Sequence, residues 1–397
     1  MADSTLAIFP FENMTGLDTP AEYARIRRDD PLPMVELAAG GRAYLATRYE
    51  DVKRVFGDPV FSREATRRPE SAVLSLGSRV PYSMLNMDPP EHSRIRRLLA
   101  PAFTTRAIER LRPRIQQIAD ELVDAMLAQG PPAEFVTAFA APLPALVASE
   151  LLGVPDADRD QLRAWLDGFA PSDSVTPEAF AATVEAVTAY LSRLAASRRA
   201  APADDVVSAL VTAQQEGADI SDPEVLHTTL LLIAGGYETT STLLTNSIVI
   251  LHRYPDQLAL LRDKPELVPD AVEELLRYVP IVWSALERVA LEDVELSGVR
   301  VPAGASVIPV IYAANRDQAL AGDAEQLDLT RPQLPHVAFG YGVHHCLGAP
   351  LARVELQVAF TTLLRRLPQL RPTEPEATLK WKTGLLVVGP SALPVVW

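Results

Sequence analysis

The chain has 397 residues, 37 basic and 51 acidic side chains for a formal charge of −14, and one cysteine. A single cysteine excludes an internal disulfide and any multi-cysteine zinc or iron–sulfur site. The acid excess argues against nucleic acid as the main partner, because no whole-chain positive field attracts phosphate.

Hydrophobic residues make up 48% of the chain, the composition of a globular protein, and the length suits two or three average domains or one large one. At the amino terminus an acid stands at Asp3 and the apolar run covers only residues 6–9. That is too short for a secretory segment or an anchor, so a cytoplasmic protein without a membrane anchor is expected. Residues 44–47 read as a strand and 50–56 as the start of a helix. From Glu91 to about Leu261 the pattern is almost wholly helical, with three- and four-residue apolar spacing over 110–127 and 180–199 and a long apolar helix over 225–253. Breaks fall at Gly130-Pro131-Pro132, Gly153-Val154-Pro155 and Ala201-Pro202. The period changes to two at residues 294–296 and 299–301 around Ser297-Gly298, which predicts a hairpin. A second hairpin is expected from 385–388 and 394–397 around Gly389-Pro390, after a helix over 351–367. The expected fold class is mainly α with small antiparallel β-sheets, and no stretch offers a domain boundary.

The most informative segment is Phe339-Gly340-Tyr341-Gly342-Val343-His344-His345-Cys346-Leu347-Gly348, followed by Pro350 in the first turn of a helix. Its glycines permit a tight loop that brings backbone close to a flat ligand. Cys346 precedes a helix amino terminus, whose free N–H groups and dipole are expected to lower its pKa and hold a thiolate. Such a thiolate could be a nucleophile, a redox thiol or a metal ligand; the plain alternative is a small buried hydrophobe.

Phe-x-x-Gly-x-His-x-Cys-x-Gly, as it stands from Phe339 to Gly348, resembles the haem-binding loop of the cytochrome P450 family, of the soluble bacterial, actinomycete-like type. The resemblance implies one cytochrome P450 haem domain over residues 1–397. Its cofactor is haem b, with Cys346 as the iron's thiolate ligand and Phe339, Gly340 and Gly348 in the cofactor loop. Two further motifs follow the family's order. Leu231 to Thr240 places Gly235, Gly236, Glu238 and Thr239 in the long helix. Alone this could be a small-residue notch packed on a neighbour; by resemblance Glu238 and Thr239 deliver protons to bound dioxygen. Tyr237 stands where many relatives carry histidine. Glu274 and Arg277 share one helix face and could be a solvated pair; by resemblance they form a buried structural ion pair, with Arg331 as third member. Gln318 stands at the family's more usual proline, which puts a turn in question.

Haem brings two carboxylates that need charged partners. The resemblance implies His92, Arg96, Arg288 and His344, with His92 and Arg96 one turn apart on a helix that Asp88 is expected to cap. Residues 88–114 hold seven arginines against three acids, a local +4. They form either a solvated basic face or the docking face for a small acidic electron carrier. A ferredoxin-type donor, O2, a small apolar substrate and a monomer complete the implied partners.

The substrate pocket is expected along residues 83–87, 167–174, 231–235 and 282–286, including Met84, Leu85, Leu231, Gly235, Val282 and Trp283, with Tyr82 available for contact. These are mostly apolar, so a bulky apolar secondary metabolite such as a macrolide, polyketide or cyclic peptide is expected, by family analogy. Oxidative coupling or ring closure without oxygen insertion is a second reading, and a non-catalytic haem-binding or sensing protein a third. A cysteine-nucleophile hydrolase stands furthest off, since no Asn or Asp can be tied to Cys346 and His344.

Overall fold

The computed structural model describes residues 6–11, 16–74, 78, 80–167, 177–282, 284, 286–382 and 387–397, without the side chains at 166, 167, 177, 179 and 180. Helices dominate: α1 (Ala21–Asp29), α2 (Tyr49–Gly57), α3 (Glu91–Leu99), α4 (Thr105–Glu109), α5 (Arg112–Gln129), α6 (Pro142–Leu152) and α7 (Arg159–Asp167) precede the long central helices. Then come α8 (Pro177–Ala200), α9 (Val206–Gln215), α10 (Asp222–Arg253), α11 (Pro255–Asp263), α12 (Val268–Tyr278), α13 (Ile311–Ala314) and α14 (Ala349–Arg366). A six-stranded sheet runs β1 (Ile8–Phe9), β2 (Met34–Leu37), β3 (Arg42–Ala46), β9 (Ser306–Pro309), β6 (Arg288–Ala290), β4 (Phe61–Ser62). A two-stranded hairpin joins β7 (Val294–Leu296) to β8 (Val299–Val301), and a small sheet places β11 (Pro394–Val396) between β5 (Ala133–Glu134) and β10 (Arg371–Pro372).

The axis of the fold is α10. It starts three residues before the apolar pattern does, because Ser221 and Glu224 close a capping box around Pro223 in the first turn. Every residue from Thr240 to Leu251 is buried, and along its length α10 packs on α6, α8 and α14. The first half is only partly covered. Behind it, α14 packs on α5, α12 and α10, carrying the loop before it into the interior.

The helix expected over 110–127 forms as α5, after a short α4 that Thr104 caps through the Ala107 N–H. Two local expectations are corrected. Asp88 does not cap α3: its carboxylate takes the Ser62 hydroxyl and, at 2.9 Å, the Arg63 N–H. Tying two segments together used the carboxylate that the local pattern assigned to the helix end. The second hairpin also differs. Residues 394–396 pair with β10 and β5, while the turn near Gly389-Pro390 is closed by residues 380–382, through Lys382 N–H to Gly389 O at 2.8 Å and Ser391 N–H to Lys380 O at 2.8 Å. Residues 385 and 386 of that expected hairpin lie outside the described residues. The turn after α13 forms without the proline, with Asp317 accepting from the Ala319 N–H at 3.0 Å.

Candidate active site

The cysteine loop closes on itself through Cys346 N–H to Phe339 O at 2.8 Å. Gly340 and Gly342 take φ of +69° and +71°, which side chains rarely adopt. A Cβ on Gly342 would also meet Phe56 O at 2.7 Å and Gly57 Cα at 2.9 Å, so this glycine seats the loop on the end of α2. Gly348 has an ordinary φ of −78°; its Cβ would stand 3.9 Å from Sγ. The Cys346 thiol is reached by solvent yet walled by protein on most sides, as at the floor of a cleft. Burial pushes its pKa up, against the Gly348 and Ala349 N–H groups and the Arg96 and Arg353 charges. In the chain alone, desolvation outweighs the helix terminus. A bound cation would reverse that balance.

Beside the loop, the four expected cationic residues come together. The His92 and His344 rings are 4.3 Å apart, and Arg96 donates to His345 O at 2.6 Å. Arg288 is buried; its guanidinium donates to Leu286 O at 2.9 Å and Glu287 O at 3.3 Å. His92 Nδ1 and His344 Nε2 are buried with no hydrogen-bond partner among the described residues. Burial, then the neighbouring arginines, pushes His92 down to about 4 and His344 down to about 2. Sequence reasoning missed Arg63, which lies within this cluster. It is fully buried, donates to Leu85 O at 3.2 Å, Glu287 O at 2.6 Å and Asn86 Oδ1 at 2.5 Å, and stands 3.5 Å from the Glu287 carboxylate. Donors crowded here with unpartnered ring nitrogens fit a ligand that brings carboxylates of its own. No local sequence signal marks Arg63, because its partners are 22 to 224 residues away.

On α10, Gly235 and Gly236 face open space: a Cβ on either would meet nothing within 4 Å among the described residues. The notch is thus not packed against a neighbour. Thr239 Oγ1 bonds back to Gly235 O at 2.7 Å, as mid-helix threonines do. Glu238 is paired with Lys382 Nζ at 3.3 Å; Tyr237 is buried.

Below the loop, Glu274 grips Arg277 at 2.7 and 2.8 Å, and Arg277 donates to the carbonyls of Asn315, Ala324 and Gln326. Arg331 Nε stands 3.5 Å from Glu274. The neighbouring Glu273 is engaged too. It holds Arg353 at 2.7 and 2.8 Å and His336 at 3.2 Å, and Arg353 lies over the Phe339 ring at 4.6 Å. Glu355 of α14 is buried, and burial pushes its carboxyl up to about 8, against a hydrogen bond with Thr240. Its place in the apolar stripe of Leu351, Val354, Val358 and Ala359 is a signal the sequence does carry.

Of the expected pocket, Met84 is buried with Leu231 packed on the same core, Gly235 is open, and Val282 is half-buried, bridging to Val387. Leu85 is 38% exposed; it gives Arg63 its carbonyl. Tyr82 is exposed and stacks on His227, with ring centroids 6.0 Å apart. Trp283 and the 168–174 loop lie outside the described residues.

The chain matches the family model described as Cytochrome P450 over residues 18–140 and 176–393. It is 46% identical over 397 residues to mycinamicin IV hydroxylase/epoxidase of Micromonospora griseorubida, covering 98% of each chain. The structure is similar to that of the cytochrome P450 hydroxylase of the leinamycin biosynthetic pathway of Streptomyces atroolivaceus, with a TM-score of 0.93, 40% identity and 99% and 100% of the two chains covered. It is also similar to a cytochrome P450 with biaryl coupling reactivity, at a TM-score of 0.86 and 39% identity over 96% and 97% of the chains. The chain therefore belongs to the cytochrome P450 family of monooxygenases, whose cofactor is a haem with a cysteine thiolate on the iron, and it offers that iron a single cysteine, Cys346.

Proposed function

We propose that the chain, as one haem-enclosing unit over residues 1–397, inserts one oxygen atom from O2 into a bulky, largely apolar secondary metabolite of macrolide or polyketide type. The observation that carries this reading is the open Gly235–Gly236 face of α10, with Glu238 and Thr239 one turn on. The mycinamicin relative acts on a substrate of this class, and apolar Met84, Leu231 and Val282 suit it. The core cluster that runs from Leu17 to Val395 supports a single unit.

When bound, the haem supplies the activation of dioxygen, with the thiolate donating electron density to the iron. The chain's own residues do the rest. His92, Arg96, Arg288 and His344 would bind the two carboxylates, with Arg63 fixing the segments that carry them. The Phe339–Gly348 loop would present Sγ, steadied by Arg353 on Phe339. Glu238 would take a proton from solvent and Thr239 would pass one on toward the reacting oxygen.

Electrons would arrive from a ferredoxin-type carrier and its reductase. Of the seven arginines in residues 88–114, Arg94, Arg112 and Arg114 are bound to carboxylates, and Arg96 reaches the cysteine loop. Arg97, Arg106 and Arg110 are exposed and pair with no carboxylate among the described residues. Arg97 adjoins Arg96 on α3, and α4 packs on α14, so the free charges flank the cysteine side, where Tyr341 and Val343 are exposed. Such a face suits an acidic partner.

The test is the spectrum of the reduced, carbon monoxide-bound protein. A strongly red-shifted Soret band is expected, and Cys346→Ser should abolish it; its absence from the native protein overturns the assignment. A metabolite library screened for shifts of iron spin state then identifies the substrate class. The relative with biaryl coupling reactivity favours a second reading, oxidative coupling. Its product would lose hydrogens and gain no oxygen by mass.

A further inference from the structure

Glu238, Thr242 and Asn246 stand at four-residue intervals, along one face of α10. Residues 380–382 and 387–391 pair as an antiparallel hairpin through Lys382 N–H to Gly389 O and Ser391 N–H to Lys380 O, and these paired segments lie along that face. Asn246 Nδ2 donates to Val388 O at 2.6 Å and to Pro280 O at 2.7 Å. A Cβ on Gly389 would meet Thr242 Cγ2 at 2.9 Å and Asn246 Oδ1 at 3.1 Å, so the backbone touches the helix directly there. Residues 387–389 are thus fastened to α10 and, through Val388 N–H to Ile281 O at 2.9 Å and the Val282–Val387 bridge, to the expected pocket wall. The segment 380–382 carries Lys382, whose ammonium stands 3.3 Å from Glu238 at the end of the row nearest the glycine notch. Both side chains are about four-fifths covered, at 18% and 22% exposure.

In this arrangement neither half of the relay is poised. The Glu238 carboxylate is turned to the hairpin and engaged by a cation, while the Thr239 hydroxyl is spent on Gly235 O. Neither contact is what fastens the hairpin to α10, which the Thr242 and Asn246 side chains hold at Val388 and Gly389. We propose that Lys382 is a positioning residue that parks Glu238 away from Thr239, and that substrate pressing on the hairpin parts the pair and frees the carboxylate to take up a proton from water and hand one on. The proposal rests on the reading of Glu238 as the proton carrier. It makes the C-terminal hairpin a coupling element between substrate occupancy and proton delivery.

Lys382→Met keeps the aliphatic stem and removes the charge, and Lys382→Arg keeps the charge. In the haem-loaded enzyme, Lys382→Met should raise reductant consumption without substrate by about two- to fivefold, the population shift that a partly exposed ion pair controls. It should also lower the product formed per reductant, and Lys382→Arg should restore both. In a Glu238→Gln background Lys382→Met should have no further effect. A readout outside turnover is amide exchange of residues 387–391 and 235–239, which should rise in Lys382→Met but not when Glu238→Gln is already present. The reduced carbon monoxide spectrum checks that each variant retains its fold. If Lys382→Met changes nothing, or changes the Glu238→Gln enzyme equally, the proposal is overturned. If instead Glu238→Gln alone leaves turnover and its solvent isotope effect unchanged, the reading of Glu238 itself fails.

Discussion

Glu355 is the buried acid that the oxygen chemistry leaves unassigned. Its carboxyl is pushed up to about 8 by burial, so the folded protein holds a proton there that the unfolded chain releases above the usual carboxylate range. The sign follows from linkage: the folded state binds more protons, so stability is full at low pH and is lost as pH rises toward 8. At about 1.4 kcal/mol per pH unit, this contribution reaches a few kcal/mol. Glu355→Gln keeps a neutral hydrogen-bonding group of the same shape. Urea unfolding of the holoenzyme between pH 5 and pH 8 should show wild type losing stability relative to this variant as pH rises. A parallel pH dependence would mean that Glu355 is charged in the fold.

At the scale of elements, α12 is fastened to the loops beyond it by one guanidinium. Arg277 is 1% exposed and satisfies Glu274 and three backbone carbonyls. Isolated, the Glu274–Arg277 spacing is worth a few tenths of a kcal/mol at most. Buried, removal of one partner leaves the other as an unpaired charge. Arg277→Ala should therefore cost about 3–5 kcal/mol, seen as a lower denaturant midpoint with an unchanged slope and as loss of haem on mild heating. A loss under about 1 kcal/mol, the range of a surface pair, would mean that water replaces the contacts. Glu273 works one residue away on a different target, so adjacent acids brace two structures: the loops after α13, and α14 through Arg353.

At the scale of the molecule, a chain of −14 carries a patch of free positive charge. Pairing delimits it: Glu224 and Glu150, distant in the chain, and Glu109, three residues away, remove Arg94, Arg114 and Arg112 from the face. Charge reversal at Arg97 or Arg110 should slow reduction by an acidic ferredoxin about tenfold at low salt, and less as ionic strength rises. Substrate affinity, read from spin state, should not change. Unaltered reduction kinetics at low salt would place the docking face elsewhere. No helix among the described residues is long and apolar enough to cross a membrane.

The sequence by itself determined the features whose physics is local. The cysteine loop, the capping box of α10, the periodicity of α10 and α14, the β7–β8 hairpin and the Glu274–Arg277 pair all arise from contacts within a few residues. The motif order was then enough to identify the family. Tertiary structure decided whatever depends on partners far along the chain. It joined Arg63 to Glu287, set Lys382 on Glu238, took Asp88 from the helix end and paired β11 with β5 and β10. It also set the burial around Cys346, because desolvation depends on everything packed around a group, and a local reading sees only the helix terminus.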